Sequence, residues 1–185
     1  MTAERETIVA AVVAAAGGTL ISRIRLQKSV YLLDRLGLNS GFEFEYHHYG
    51  PYSRDLDLAT ADAVALQMVS ETFQHREGDG ARYSVFELKQ ASPGEDAFGA
   101  LGRQRATLLA EKFASTNITV LELAATVDWL CHAEKCEDWR AEVSRRKPLK
   151  VGGGRLDRAE MLLMNLGLTP PPMSEVAPRP PSGGN

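Results

Sequence analysis

The sequence predicts a mainly helical α+β protein, with a winged-helix-like amino-terminal half packed against a helical carboxy-terminal half and followed by a disordered tail. Three observations carry this expectation. Apolar residues recur at helical spacing over most of the chain. Two short alternating runs flank Gly78-Asp79-Gly80 and read as a β-hairpin. The order helix, helix, short strand, helix, hairpin is the winged-helix order. A chain of 185 residues, 44% hydrophobic and 24% charged, suits one compact domain. We place it at 1–168, with a winged-helix-like part at 1–90 and a helical part at 91–168, ahead of a tail at 169–185.

Residues 3–16 are rich in Ala and Val and read as a largely buried helix ended by Gly17-Gly18. The apolar run from Ile8 to Ala16 is too short to span a bilayer, so no membrane partner is expected. Glu4 and Glu6 beside Arg5 deny it the positive leader of a signal peptide. Thr19 to Ile21 lead into a helix from Arg23 to Leu36, with Ser22 as N-cap and Gly37 as stop. Ile24, Tyr31 and Leu38 supply its apolar stripe, and Arg23, Gln27, Asp34 and Arg35 its wet side. Phe42 to Tyr46 alternates apolar and charged residues and reads as a strand. His47 to Ser53 is a turn broken by Gly50-Pro51, and Ser53 caps a helix from about Arg54 to Glu71. The runs 72–76 and 82–88 form the hairpin.

In the second half, Ser92-Pro93-Gly94-Glu95 has the form of a capping box and opens a helix to about Ala114. Thr119 to Glu122 repeats the box for a helix through Trp129 to about Glu134. Arg155 to Leu166 is a last helix, ended by Gly167. Thr169 to Asn185 holds six of the nine prolines and is expected to be disordered. Its Pro178-Arg179-Pro180-Pro181 stretch fits a minimal proline-recognition pattern as well as a solvated tail.

The composition excludes several function classes. Lys plus Arg is 21 and Asp plus Glu is 24, which argues against a strongly cationic nucleic-acid binder but leaves room for a local basic patch. Cys131 and Cys136, five apart in one expected helix, diverge too far for a bridge, so reduced thiols and a cytoplasmic protein are expected. Cys131 and His132 diverge by about 100° on a helix, so that histidine does not activate that thiol. Neither the Cys131, His132, Glu134, Cys136 group nor the His47-His48 pair has metal-site spacing. Gly152-Gly153-Gly154 follows no strand and precedes no Lys-Ser or Lys-Thr, and reads as a flexible joint rather than a phosphate loop. No catalytic set, metal or cofactor is expected.

Two surfaces carry the functional reading. One is the polar-aromatic corner of Tyr46, His47, His48, Tyr49, Tyr52 and Arg54, which suits either peptide contact or packing against the domain body. The other is the segment Arg140 to Arg158, where Arg140, Arg145, Arg146, Lys147, Lys150, Arg155 and Arg158 face only Glu142 and Asp157. It reads as a patch for an acidic partner or as a solvated basic face. Helix 54–71 is a poor reader of DNA. Arg54 stands there against Asp55, Asp57, Asp62 and Glu71, and acids repel phosphates.

The run Arg25-Leu26-Gln27-Lys28-Ser29-Val30-Tyr31 resembles the "LQK-x-x-Y" helix of the SocA-like antitoxin (Panacea) domain superfamily and its YwgA-like relatives. Tyr46-His47-His48-Tyr49-Gly50-Pro51-Tyr52-Ser53 resembles their "GP-x-S" segment, nearest the YwgA-like "GPYS" form; the SocA-like form has an acidic-aromatic run before "GPV". Leu121 to Leu130, Lys147-Pro148 and Leu162-Leu163 before Leu166-Gly167-Leu168 are also similar. The resemblance covers most of residues 20–168. It implies a non-enzymatic, mainly helical protein of bacteria, phages or mobile elements. Some such proteins are antitoxins, one is an adaptor that hands a toxin to a protease, and many have no assigned role. Gln27, Lys28, Tyr31, Tyr49, Gly50, Pro51 and Ser53 match the pattern. The resulting expectation is a protein-interaction module of antitoxin or adaptor type, with Gln27, Lys28, Tyr31 and the corner as partner-binding candidates. The alternative is a DNA-associated protein using the basic segment. The identity of the partner and the oligomeric state stay open.

Overall fold

The computed structural model describes residues 3–172. Its first half runs α1 (Arg5–Ala15), β1 (Thr19–Ile21), α2 (Arg23–Arg35), β2 (Glu45–His47), β3 (Gly50–Tyr52), α3 (Arg54–Ala65), β4 (Val69–His75) and β5 (Arg82–Leu88). The second half holds a 3-10 segment (Glu95–Leu101), then α4 (Arg103–Ser115), α5 (Ile118–His132), α6 (Trp139–Arg146) and α7 (Arg155–Leu166). The fold is thus mixed α+β and predominantly helical. β1, β5 and β4 form one antiparallel sheet with β5 in the middle. Together with α1, α2 and α3 this is the winged-helix arrangement. The separate hairpin β2–β3 is inserted between α2 and α3.

Two helices organise the core. In α1, Ile8 to Val13 are all buried, and α1 packs on α3 and α4. In α5, Val120 to Asp128 are all buried, and α5 meets α2, α6, α7 and β3. α1 has four Ala among its eleven residues and α5 has Ala124 and Ala125 at its middle, and such small side chains let neighbours approach closely. A helix buried all round has no polar face, which is why these two read as the most apolar stretches.

Several boundaries differ from the sequence expectation, each for a local reason. Thr19 to Ile21 form an edge strand on β5 rather than a lead-in. Ser22 does not cap α2 with its side chain: its φ is 84°, and its N–H donates to Ser84 O at 2.7 Å, which ties the helix start to the sheet. The expected strand 42–46 is shifted. Its ladder starts at Glu45, and half of the expected turn is the partner strand, because Gly50 to Tyr52 pairs back onto Glu45 to His47. Helix 54–71 ends at Ala65, where Gln67 adopts φ 56° and Met68 N donates to Ala63 O, turning the chain into β4.

The capping box at Ser92 does not open one long helix. The segment 95–101 is a 3-10 turn broken at Gly99, and α4 starts afresh at Arg103. Glu95 bonds forward to Arg103 N at 2.8 Å instead of back to a cap. The cap of α5 is Asn117, whose Oδ1 accepts from Thr119 N and Val120 N. α6 escapes the sequence reading because it buries only Trp139 and Val143 and is otherwise polar. Ser53, Gly37 and Gly167 stand where expected, with Ser53 Oγ accepting from Leu56 N at 3.2 Å. Of the tail, 173–185 lies outside the described residues; before it, Pro170 is buried and Pro171 O accepts from Trp139 Nε1 at 3.2 Å.

Gly99 is the tightest backbone junction in the fold. At φ 55° and ψ −145°, a Cβ there would lie 2.0 Å from Leu38 O. Gly99→Ala is expected to destabilise the protein by roughly 2–4 kcal/mol, from backbone strain and overpacking together. Gly153→Ala also sits at positive φ but meets nothing within 4 Å, and is expected to cost only about 1–2 kcal/mol. Thermal melts of the two variants check this. Equal losses would show that the approach to Leu38 does not constrain the turn.

Candidate functional site

The site is the hairpin β2–β3 and the framework beneath it. The framework begins on α2. Gln27 is buried, not on a wet face, because β3 covers that side of the helix. Its Oε1 accepts from Ser53 N at 2.8 Å and its Nε2 donates to Ser53 O at 2.9 Å. One amide thus satisfies both backbone groups of a residue at the end of a two-stranded ladder. Lys28 is also buried, and its Nζ donates to Pro51 O at 2.6 Å. Tyr31, one turn on, donates to Asp128 Oδ2 at 2.7 Å, and Arg35 holds the same carboxylate. Burial pushes the Tyr31 phenol well above its ordinary value, reinforced by Asp128.

From the other side, α5 presses on the turn. Gly50 is buried at φ 85°, and a Cβ there would fall 2.5 Å from Thr126 Oγ1. Thr126 cannot easily retreat, since its hydroxyl donates to Glu122 O and the residue is fully buried. Lys147, just after α6, donates to His48 O and to Glu122 Oε1. The hairpin is therefore fixed from three elements by side-chain contacts to its own backbone.

What this framework displays is the rim. His47, His48 and Tyr49 are exposed, with Tyr49 at 52%. The His47 ring stacks obliquely on Tyr52 at 4.8 Å and bonds Glu45 at 2.9 Å. Tyr52 donates to Asp57 at 2.8 Å. Tyr46 faces the other way, half-buried beneath the Arg146 guanidinium. Arg54 lies apart at the head of α3, beside Glu43 and Glu45. Between rim and framework is a cavity of about 260 Å³, lined by Arg23, Lys28, His47, His48, Tyr49 and Tyr52 among others.

Of the partner-binding candidates, then, His47, His48, Tyr49, Tyr52 and Arg54 reach the surface, whereas Gln27, Lys28 and Tyr31 are turned inward. Gln27 and Lys28 hold the backbone of the Pro51 to Ser53 segment, and Tyr31 ties α2 to Asp128 of α5.

The basic segment does not form one free patch. Arg140 pairs with Glu160 and Asp157, and Arg145 and Arg146 share Glu142. Arg146 also holds Glu134, and those partners hold its guanidinium above the ordinary value. Lys147 and Lys150 both converge on the buried Glu122. Arg155 donates to the carbonyls of Lys150 and Leu149, and Arg158 to that of Gly153. On α3, Asp55 meets Arg5, while Asp57 receives Tyr52 and Gln27.

Among the described residues, no group of three or more His, Cys, Asp or Glu is placed to hold a metal ion. Cys131 and Cys136 are free, and burial pushes the Cys131 thiol up to about 11. No helix among the described residues is long and apolar enough to cross a membrane.

Fold and site together define a winged-helix-like protein with an extra hairpin locked between α2, α5 and the turn after α6. No family model matches the chain. It is similar to the uncharacterized protein YwgA of Bacillus subtilis (strain 168), with 31% identity over 75 residues. That segment is 40% of this chain and 45% of YwgA, so the match spans less than half of either protein.

Two outcomes follow from the framework. Gly50→Ala is expected to cost at least about 1 kcal/mol and to lower the melting temperature; an unshifted melt would show that Thr126 yields freely. The second concerns pH. Burial pulls the Lys28 ammonium down to about 7, with Lys147 and Lys150 adding to the effect and Glu122 opposing it. The unfolded chain therefore binds more protons at Lys28 than the folded one between about pH 7 and the ordinary lysine value. Lys28 makes stability rise with pH across that window, by at most about 1.4 kcal/mol per pH unit. Urea titrations at two pH values above neutral are expected to show this rise in the native sequence and a shallower one in Lys28→Met. Identical slopes would place the lysine in a far wetter setting.

Proposed function

We propose that this chain is a non-enzymatic protein-interaction module, of antitoxin or proteolytic-adaptor type, that docks its partner on the corner formed by His47, His48, Tyr49 and Tyr52. The supporting observation is the contrast between rim and framework. Buried polar side chains from α2 and the loop after α6 are committed to fixing the backbone of a hairpin whose own outward side chains are exposed aromatics and imidazoles. Rigid aromatic display lowers the ordering cost of association, and Tyr is a favoured anchor at protein interfaces. The partial likeness to YwgA supports only kinship with a protein of unassigned role.

The nucleic-acid reading is weaker. Six of the seven side chains that would carry it are paired or bonded to carbonyls within their own half, and the seventh, Lys147, is buried. Paired cations release few counterions from a phosphate backbone.

The test is a tagged capture from lysate of the source cell, treated with nuclease. It compares the native chain with Tyr49→Ala combined with His48→Ala, and with Arg145→Glu combined with Arg158→Glu. The expected result is a stoichiometric protein partner lost about tenfold or more in the first variant and kept in the second. A partner kept by the corner variant, or recovered only with nucleic acid, would sink the reading.

A further inference from the structure

Among the described residues, Lys28 is the buried cation with the least provision. It is 1% exposed, and the bond to Pro51 O is the one its Nζ makes among the described residues. An ammonium has three donors, so two are left over. No carboxylate lies within 4.0 Å of it among the described residues. Glu122 is close enough to act on it electrostatically but is already taken. Its Oε1 accepts from Lys147 at 2.8 Å and from Lys150 at 2.7 Å, and its Oε2 from Lys150 at 2.6 Å. Lys147 and the partly exposed Lys150 thus take the carboxylate, and Lys28 is left with only its field. Buried charges are ordinarily paired one for one, so the cluster lacks an anion.

The same lysine lines the cavity under the rim. The lining includes His48 and Tyr49 beside Lys28, whereas the Arg23 guanidinium is held by Glu71 and Asp57, the Tyr52 hydroxyl by Asp57 and the His47 ring by Glu45. The single acid in the lining, Asp57, already accepts from Tyr52 and Gln27. At about 260 Å³ the space suits a carboxylate on a short stem and is below the usual size for a drug-sized or nucleotide ligand.

We propose that this cavity receives the carboxylate of an Asp or Glu side chain from the docked protein partner, and that Lys28 is the cation it pairs with. The proposal rests on the corner being a docking surface and adds the partner's chemistry: an acidic residue that enters beneath Tyr49. The incoming carboxylate offsets the excess positive charge of Lys28, Lys147 and Lys150 around Glu122. It also holds the proton on Lys28, so binding takes up a proton near neutral pH. Arg23, Asp57, His47 and His48 face the same space and set the background against which that uptake is read.

Acetate is the probe. The full chain, isotopically labelled at lysine, is titrated near neutral pH with sodium acetate, and in parallel with sodium phosphate and sodium chloride at matched ionic strength. The expected result is a saturable shift of the Lys28 side-chain resonances with acetate, a rise in its apparent pKa at saturation, and an affinity at least about tenfold lower in Lys28→Met, followed through the Tyr49 and His48 resonances. Should Lys28→Met fail to fold, Tyr52→Phe and His48→Ala on the cavity wall must each weaken acetate several-fold. No saturable shift, an equal response to chloride, binding of phosphate but not acetate, or unchanged affinity in all three variants overturns the proposal. Loss of partner capture in the corner variant without any acetate binding overturns the carboxylate site and leaves the docking reading standing. Acetate binding with no partner captured keeps the anion site and overturns a protein as its source.

Discussion

The grip of Gln27 on Ser53 is the contact on which the rest of the candidate site depends. Ser53 follows one strand directly and caps the next helix, so its backbone belongs to neither a full ladder nor a full helix. A side-chain amide, with both an N–H donor group and a carbonyl acceptor, is the group that can serve both its N–H and its C=O at once. Once Ser53 is fixed, the direction of α3 and the end of β3 are fixed with it. Lys28, the next residue of α2, then reaches Pro51 O, and the Gly50 turn is left to close against Thr126. Loss of Gln27 would strand the buried Ser53 N–H, worth about 1–3 kcal/mol when unsatisfied, and leave Ser53 O with the bond from Asp57 N at 3.3 Å.

The electrostatics follow from that geometry. Pinning the hairpin from below brings Lys28 of α2 and Lys147 of the turn after α6 to the same side of the structure, where Glu122 of α5 stands. Two separate requirements for a backbone anchor thus place like charges in one interior. The outcome is a lysine whose proton is loosely held at neutral pH, as expected of an ammonium that burial disfavours and a shared carboxylate only partly compensates.

The architecture was legible in the sequence because its signals are local. Helix α2, the Ser53 cap, the Gly78-Asp79-Gly80 tip and the Gly167 stop each depend on a few adjacent residues. Strand β1 was not legible, since three residues carry too little pattern without their partner β5. Nor was the break at Gly99, which depends on Leu38, far away in the chain. The corner was legible as a cluster, but the direction of each side chain was not. Gln27 reads as polar and therefore outward, and only the arrival of β3 turns that position inward. The buried polar residues of α2 had one sequence signal, the Gln-Lys-x-x-Tyr spacing, and that spacing cannot say whether such residues meet a partner or a backbone.

The basic segment shows why charge counted along a chain is a poor guide to charge on a surface. Between Arg140 and Arg158 the sequence offers seven cations and two acids. Folding supplies the missing acids from elsewhere: Glu122 and Glu134 from around α5, and Glu160 from α7. Arg140 and Arg146 tie α6 to α7 and to the end of α5, Arg145 stays on α6 with Glu142, Lys147 becomes interior and Lys150 is left partly exposed. The local excess of positive charge therefore moves off the helix face and into the cluster beneath Tyr49, whose ring both lysines approach. The segment's positive charge and the aromatic corner, separate in the sequence, meet at one place in the fold. An acidic partner group would find both there, and Lys28 is the member of that cluster that also lines the cavity.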